Sequence, residues 1–74
     1  MREREVRAMV RALKRIQVER GLSTRGMAAR LGLSPGYLSM VYSGQRRPGL
    51  RFVRAVMEQF DEIRQEIADM LGEE

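Results

Sequence analysis

The chain has 74 residues, 32% charged and 43% hydrophobic, with no Cys and no His. That is room for one domain and one small core, worth roughly 3–5 kcal/mol without a staple. It excludes disulfides, thiol and imidazole catalysis and the usual zinc ligand sets, and no cofactor is expected. No apolar run approaches the ~20 residues of a membrane span. The start, Met1-Arg2-Glu3-Arg4-Glu5, leads into no apolar stretch of a secretory leader, so a cytoplasmic location is expected.

The net charge is +4, but it is unevenly spread. Residues 1–54 hold 13 basic and 3 acidic residues, and residues 55–74 hold 1 basic and 7 acidic. A basic body with an acidic end is the footprint of a polyanion binder, most often of nucleic acid. Thirteen of the 14 cations are Arg, whose forked guanidinium suits phosphate, although GC-rich codon usage produces the same bias.

In chain order, residues 3–20 show a helical stripe of Val6, Met9, Val10, Leu13 and Ile16, with Arg4, Arg7, Arg11, Lys14 and Arg15 on the other face. Gly21 stops this helix. Ser23 is a good N-cap for a short second helix that turns Met27, Ala28 and Leu31 inward, and Gly32 ends it. Leu33 plugs inward, Ser34 caps a third helix and Pro35 occupies its first position. That helix runs to about Ser43, buries Leu38 and Val41, and stops at Gly44. Gln45-Arg46-Arg47-Pro48-Gly49 reads as a loop. From 50 to 71 there is neither Gly nor Pro, and Val53, Val56, Phe60, Ile63, Ile67 and Met70 form a 3-4-3-4-3 stripe. One continuous or gently kinked helix is the favoured reading; two helices broken near Asp61 is the other. Gly72-Glu73-Glu74 is expected to fray. Met9, Met27 and Met57 read as core fillers.

The central feature is the pair of short helices around a Gly turn, spanning about 23–43. Ala28 is small where the third helix crosses, Gly32 makes the turn, and Leu33, Leu38 and Val41 anchor the outer helix. Residues 13–48, and within them Arg20-Gly21-Leu22-Ser23, Ala28, Gly32, Gly44 and Pro48, resemble the phage-repressor/Cro-like helix-turn-helix family. The resemblance implies an all-α fold over 1–74, a compact bundle of four or five helices like lambda repressor, binding double-stranded operator DNA as a homodimer.

Carried over by position, the resemblance places Thr24 at the start of helix two, where the family commonly holds a DNA-contacting Gln. It places Pro35, Gly36, Tyr37, Ser39 and Met40 on the reading face of a recognition helix over about 35–43. Arg46 and Arg47 stand in the phosphate-touching loop. Ser23, Ser34, Arg25 and Arg51 are added as phosphate contacts, the serines because helix N-termini offer N–H groups to anions. About half of Arg25, Arg30, Arg51 and Arg54 are expected to touch DNA. The family often pairs an Arg late in helix one with a Glu late in helix three; Gln17 and Tyr42 stand there instead. Since a lone buried charge would cost several kcal/mol, the joint change predicts a direct Gln17–Tyr42 contact.

The reading helix holds no Arg, Asn or Gln, the residues that most often read guanine and adenine. Tyr37 and Ser39 remain for hydrogen bonds and Met40 for a thymine methyl, so affinity is expected to rest on phosphates and DNA shape. Tyr37 reads equally well as a surface aromatic. The second half of the last stripe, Ile63, Ile67, Met70 and Leu71, has little core to cover and is expected to form the homodimer interface. A two-fold dimer would span half-sites about 34 Å apart.

The expected function is transcriptional regulation, as a repressor acting by promoter occupancy with no small-molecule effector. The competing reading is a protein-interaction module on the same fold, such as an antitoxin or adaptor, using the acidic C-terminal helix. An enzyme is disfavoured by the residue types alone, and membrane attachment through the Arg face of the first helix is a remote reading.

Overall fold

In a computed structural model, residues 2–72 are described and form five helices: α1 Glu3–Glu19, α2 Thr24–Leu31, α3 Pro35–Ser43, α4 Leu50–Gln59 and α5 Asp61–Gly72. The expected fraying at Gly72-Glu73-Glu74 lies mostly outside the described residues; Gly72 itself closes α5. The radius of gyration, 11.6 Å, matches the ~11 Å of a folded chain this long.

The local punctuation follows directly from the sequence. Ser23 Oγ accepts from the Gly26 N–H at 3.0 Å, and Ser34 Oγ accepts from the Tyr37 N–H at 3.1 Å. Each satisfies an N–H that the first helical turn leaves without a partner. Gly32, at φ +69°, lets the Leu33 N–H reach back to the Ala28 carbonyl at 2.9 Å. An L side chain at that backbone angle would be strained. The helix-turn-helix is therefore set by contacts within a few residues of each other.

The core is shared by all five helices: Met9, Leu13 and Ile16 of α1, Met27 and Ala28 of α2, Leu38 and Val41 of α3, Phe52 and Val56 of α4, and Ile63 and Ile67 of α5. α2 lies between α3 and α4, and α1 packs on α3 and α5. The buried face of α1 is rotated from the expected stripe. Ala8 and Ala12 are buried, whereas Val6 and Val10 are only half-buried. Small residues take up part of this face, which a count of large apolar side chains does not register. Glu5 is also fully buried, its Oε1 accepting from the Arg2 N–H at 3.3 Å and its Oε2 lying 3.8 Å from Arg4 Nε. In α4 Phe52 is fully buried alongside Val56, although the 3-4 stripe passed it over for the half-buried Val53.

The last stripe is not one helix. Phe60 is extended, at φ −132° and ψ +93°, and divides α4 from α5. Its ring is 2% exposed, with the Arg20 guanidinium 5.3 Å above it. Its carbonyl accepts from the Ile63 and Arg64 N–H groups, both at 3.1 Å, so the new helix starts with little lost. A straight helix over this span would be about 34 Å long, against about 25 Å for α1, and would carry its far half past the core. The break folds α5 back antiparallel to α1.

The break also changes what the expected interface can offer. Ile63 and Ile67 are 0% and 1% exposed and belong to the protomer's own core. As folded, they present no surface to a second copy. Met70 is half-buried against the same core, and of the four residues only Leu71, at 47%, is exposed. Ile67→Ala is accordingly expected to destabilise the fold by about 2–5 kcal/mol, read as a lower urea midpoint, with no change in sedimentation. An Ile67→Ala chain of native stability that had lost a dimer would reinstate the interface.

Candidate nucleic-acid interface

The exposed side of the helix-turn-helix combines a neutral helix with a surround of guanidinium groups. On α3, Pro35, Gly36 and Ser39 are exposed and Met40 is half-buried. This face carries no charge, so nothing on it repels or pairs with a neighbouring strand. Arg25 projects from the first turn of α2, Arg46 and Arg47 from the loop after α3, and Arg51 from the first turn of α4; all four are exposed. Arg51 lines a shallow depression of ≈ 530 Å³ with Gly32, Leu33, Ser34 and Tyr37. The starts of α3 and α4 therefore converge on one spot. Of the twelve residues read from the sequence as DNA-binding, Ser23, Arg25, Ser34, Pro35, Gly36, Ser39, Arg46, Arg47 and Arg51 are exposed, and Thr24, Tyr37 and Met40 are half-buried.

Arg46 and Arg47 are held by different partners. The Gly44 turn, at φ +83°, brings the N–H groups of Gln45 and Arg46 to the Met40 carbonyl at 2.9 and 3.2 Å. Arg46 then rests 5.9 Å from the Tyr37 ring centroid, a cation–π contact. Arg47 Nη1 lies 3.0 Å from Glu3 Oε2, and Arg7 Nε lies 3.5 Å from Glu3 Oε1. These pairs are exposed, so each is worth at most about 1 kcal/mol and yields readily to a phosphate.

Tyr37 is neither a free reader nor a plain surface aromatic. Its ring meets Phe52 edge-on at 6.4 Å and 63°, and its hydroxyl accepts from the Gly49 N–H at 3.2 Å. It pins the loop that carries Arg46 and Arg47 to α4. The expected Gln17–Tyr42 contact is present: the Tyr42 hydroxyl donates to Gln17 Oε1 at 2.7 Å. Gln17 Nε2 also donates to Thr24 Oγ1 at 3.3 Å. Burial pushes the Tyr42 hydroxyl up to about 12, since the phenolate would be poorly solvated.

Two contributors were invisible in the sequence because their partners are far along the chain. Lys14 Nζ donates to the Tyr42 carbonyl at 3.0 Å and stands 5.3 Å from that ring's centroid. It satisfies a carbonyl near the end of α3. Glu3 anchors Arg47 across 44 positions.

The split charge of the sequence becomes a division between two sides. Arg20 pairs with Glu62 at 3.1 Å, and Arg15 lies 3.9 Å from Glu19 and 4.0 Å from Glu66. Glu62 and Glu66 of α5 are thus placed against α1, whereas Asp61 pairs with Arg64 and Asp69 accepts from Gln65 within α5. Among the described residues, no carboxylate lies within 4.0 Å of Arg25, Arg30, Arg46, Arg51 or Arg54. All five of these arginines are exposed, on α2, on the loop after α3 and on α4.

Among the described residues no group of His, Cys, Asp and Glu could hold a metal ion, and no helix is long and apolar enough to cross a membrane. No curated protein and no solved structure matches the chain significantly. A family model described as a helix-turn-helix domain matches residues 8–68. That span takes in α2 and α3, the Gly32 turn between them, and the helices that bury their inner faces. The chain belongs to the helix-turn-helix domain family.

Proposed function

We propose that this protein is a transcriptional regulator of the phage-repressor/Cro-like kind, a repressor that covers a promoter with α3 in the major groove. The observation that carries this reading is the neutral outer face of α3 framed by Arg25, Arg46, Arg47 and Arg51. Guanidinium groups on both flanks would grip the two phosphate strands bordering the groove. Pro35 and Gly36, with no long side chains, would let the start of α3 approach the base edges, and Ser39 and Met40 would supply the few direct contacts. Tyr37 serves by holding the Arg46–Arg47 loop. Binding is then dominated by counterion release, with modest sequence preference.

Pairing on a pseudo-palindrome remains part of the proposal, with reading helices about 34 Å apart, but Ile63 and Ile67 have no part in it. The exposed Leu71 and the half-buried Met70 are what α5 still offers. The rival reading, an interaction module working through an acidic C-terminal helix, loses support because Glu62 and Glu66 already face Arg20 and Arg15.

Selection of duplexes from a randomised library at physiological salt tests this directly. Enrichment of a two-fold-symmetric motif is expected; retention of DNA only at low salt, with no motif, would overturn sequence-specific regulation. Reversing Arg46 and Arg47 to Glu should weaken duplex binding at least 100-fold and flatten the slope of log K against log salt by about 2. Unchanged anisotropy titrations would remove the loop from the interface. Glu3→Gln should act in the opposite direction. Freed from its acid, Arg47 should raise low-salt affinity about threefold, a gain that disappears as salt screens the exposed pair. A loss of affinity would mean that Glu3 orients Arg47 rather than restraining it.

A further inference from the structure

The Gln17 side chain does more than replace a charged pair. It touches Tyr42 on α3 and Thr24 at the start of α2, and the two contacts differ in length, 2.7 Å against 3.3 Å. The shorter is the length of an O–H···O bond and the longer that of a stretched N–H···O. Both lengths fit one direction of the chain: the phenol donates to the amide oxygen, and the amide nitrogen donates to the Thr24 hydroxyl. A reversed amide would leave the half-buried Tyr42 proton with no acceptor among the described residues, which burial penalises. With its hydroxyl pushed up to about 12, Tyr42 keeps that proton throughout the neutral range and remains the donor.

The Thr24 hydroxyl has one proton, and its oxygen is already engaged by Gln17. Among the described residues nothing accepts that proton. Thr24 is half-buried, and the next residue is the exposed Arg25.

We propose that Gln17 is a positioning residue: locked to Tyr42, its amide turns the Thr24 hydroxyl outward, so that Thr24 donates its proton to a phosphate oxygen of the bound duplex. This rests on the DNA-binding reading above. Gln17 then links the depth at which α3 sits in the groove to the grip of α2 on the adjoining strand, through a single amide. Thr24 is a shorter side chain than the Gln the family commonly places there, and its usefulness depends on being held in one rotor state.

A double-mutant cycle tests this, using a fluorescein-labelled duplex from the selection or, if none is enriched, a mixed-sequence duplex at low salt. The second background is Gln17→Glu at pH 8. A carboxylate at 17 still accepts from Tyr42, but it also accepts from Thr24 and draws that proton inward. The added negative charge is common to both arms that carry it and cancels in the cycle. Thr24→Val should weaken binding about tenfold in the wild-type background, the scale of a hydrogen bond to a charged group. It should do so without changing the salt slope, because no cation is lost. In the Gln17→Glu background the same substitution should cost less than about twofold.

Equal costs in the two backgrounds, or no cost in the wild type, overturn the proposal. If Gln17→Glu does not fold, Tyr42→Phe provides the second background. It leaves the amide free to turn over, and the Thr24→Val cost should then shrink at least threefold; an undiminished cost overturns the proposal equally. A wild-type chain that retains no duplex at low salt overturns the DNA-binding reading and this proposal together. Retention with an additive cycle overturns the proposal alone.

Discussion

The turn at Phe60 is the constraint on which the rest of the structure depends. One extended residue converts a stripe that could have been a single helix into two helices that meet the core from different sides. α4 then closes over α2 with Phe52 and Val56, and α5 lies back along α1 with Ile63 and Ile67. With no Cys to form a disulfide, a chain this short cannot leave those isoleucines in water. The same turn disposes of charge. Running α5 antiparallel to α1 sets Glu62 beside Arg20 and Glu66 near Arg15. These two acids are thereby turned toward α1, while among the described residues Arg25, Arg30, Arg46, Arg51 and Arg54 have no carboxylate within 4.0 Å.

That arrangement separates two tasks that many binding helices combine. The outer face of α3 is neutral, and exposed cations stand on α2, on the following loop and on α4. On the proposed reading, affinity and register come from the surround, and discrimination comes from a few small groups and from how easily the DNA conforms to them. The neutral Gln17–Tyr42 pair belongs to the same logic. A charged pair at those positions would need full compensation for its lost hydration; a phenol and an amide make a bond of 2.7 Å with no ion to bury.

What the sequence revealed depended on how far apart the interacting residues lie. The caps at Ser23 and Ser34 and the turns at Gly32 and Gly44 are settled within a few residues, and each was legible. The Gln17–Tyr42 contact, 25 positions apart, was legible only because the resemblance showed both members of a pair changed together. The rotation of α1 was hidden because its buried face is partly alanine, and hydrophobic size is a poor guide where helices approach closely. The Phe60 break was the less favoured of two readings because the 3-4 spacing continues across it unbroken. Only the need to bring both halves onto one core decides against continuity, and that is a property of the whole chain. The same need converted an expected dimer surface into protomer interior. The positions of Arg46 and Arg47 could be read from the loop; that Tyr37 and Glu3 hold them could not.

α1 emerges as the element that ties binding to folding. It packs on α3 and α5, yet it reaches the proposed binding side through three separate polar contacts. Glu3 holds Arg47 in the loop, Lys14 holds the end of α3 through the Tyr42 carbonyl, and Gln17 joins Tyr42 to Thr24. Along the same helix, Arg15 and Arg20 face the acids of α5. An α-helix with its backbone bonds satisfied internally is stiff over its roughly 25 Å length, so these anchor points keep fixed separations. The loop, the end of α3 and the start of α2 are thus indexed against one rigid rod rather than against each other. In a domain with so small a core, that economy explains why the helix sharing few residues with the exposed binding side carries so many of the bonds that shape it.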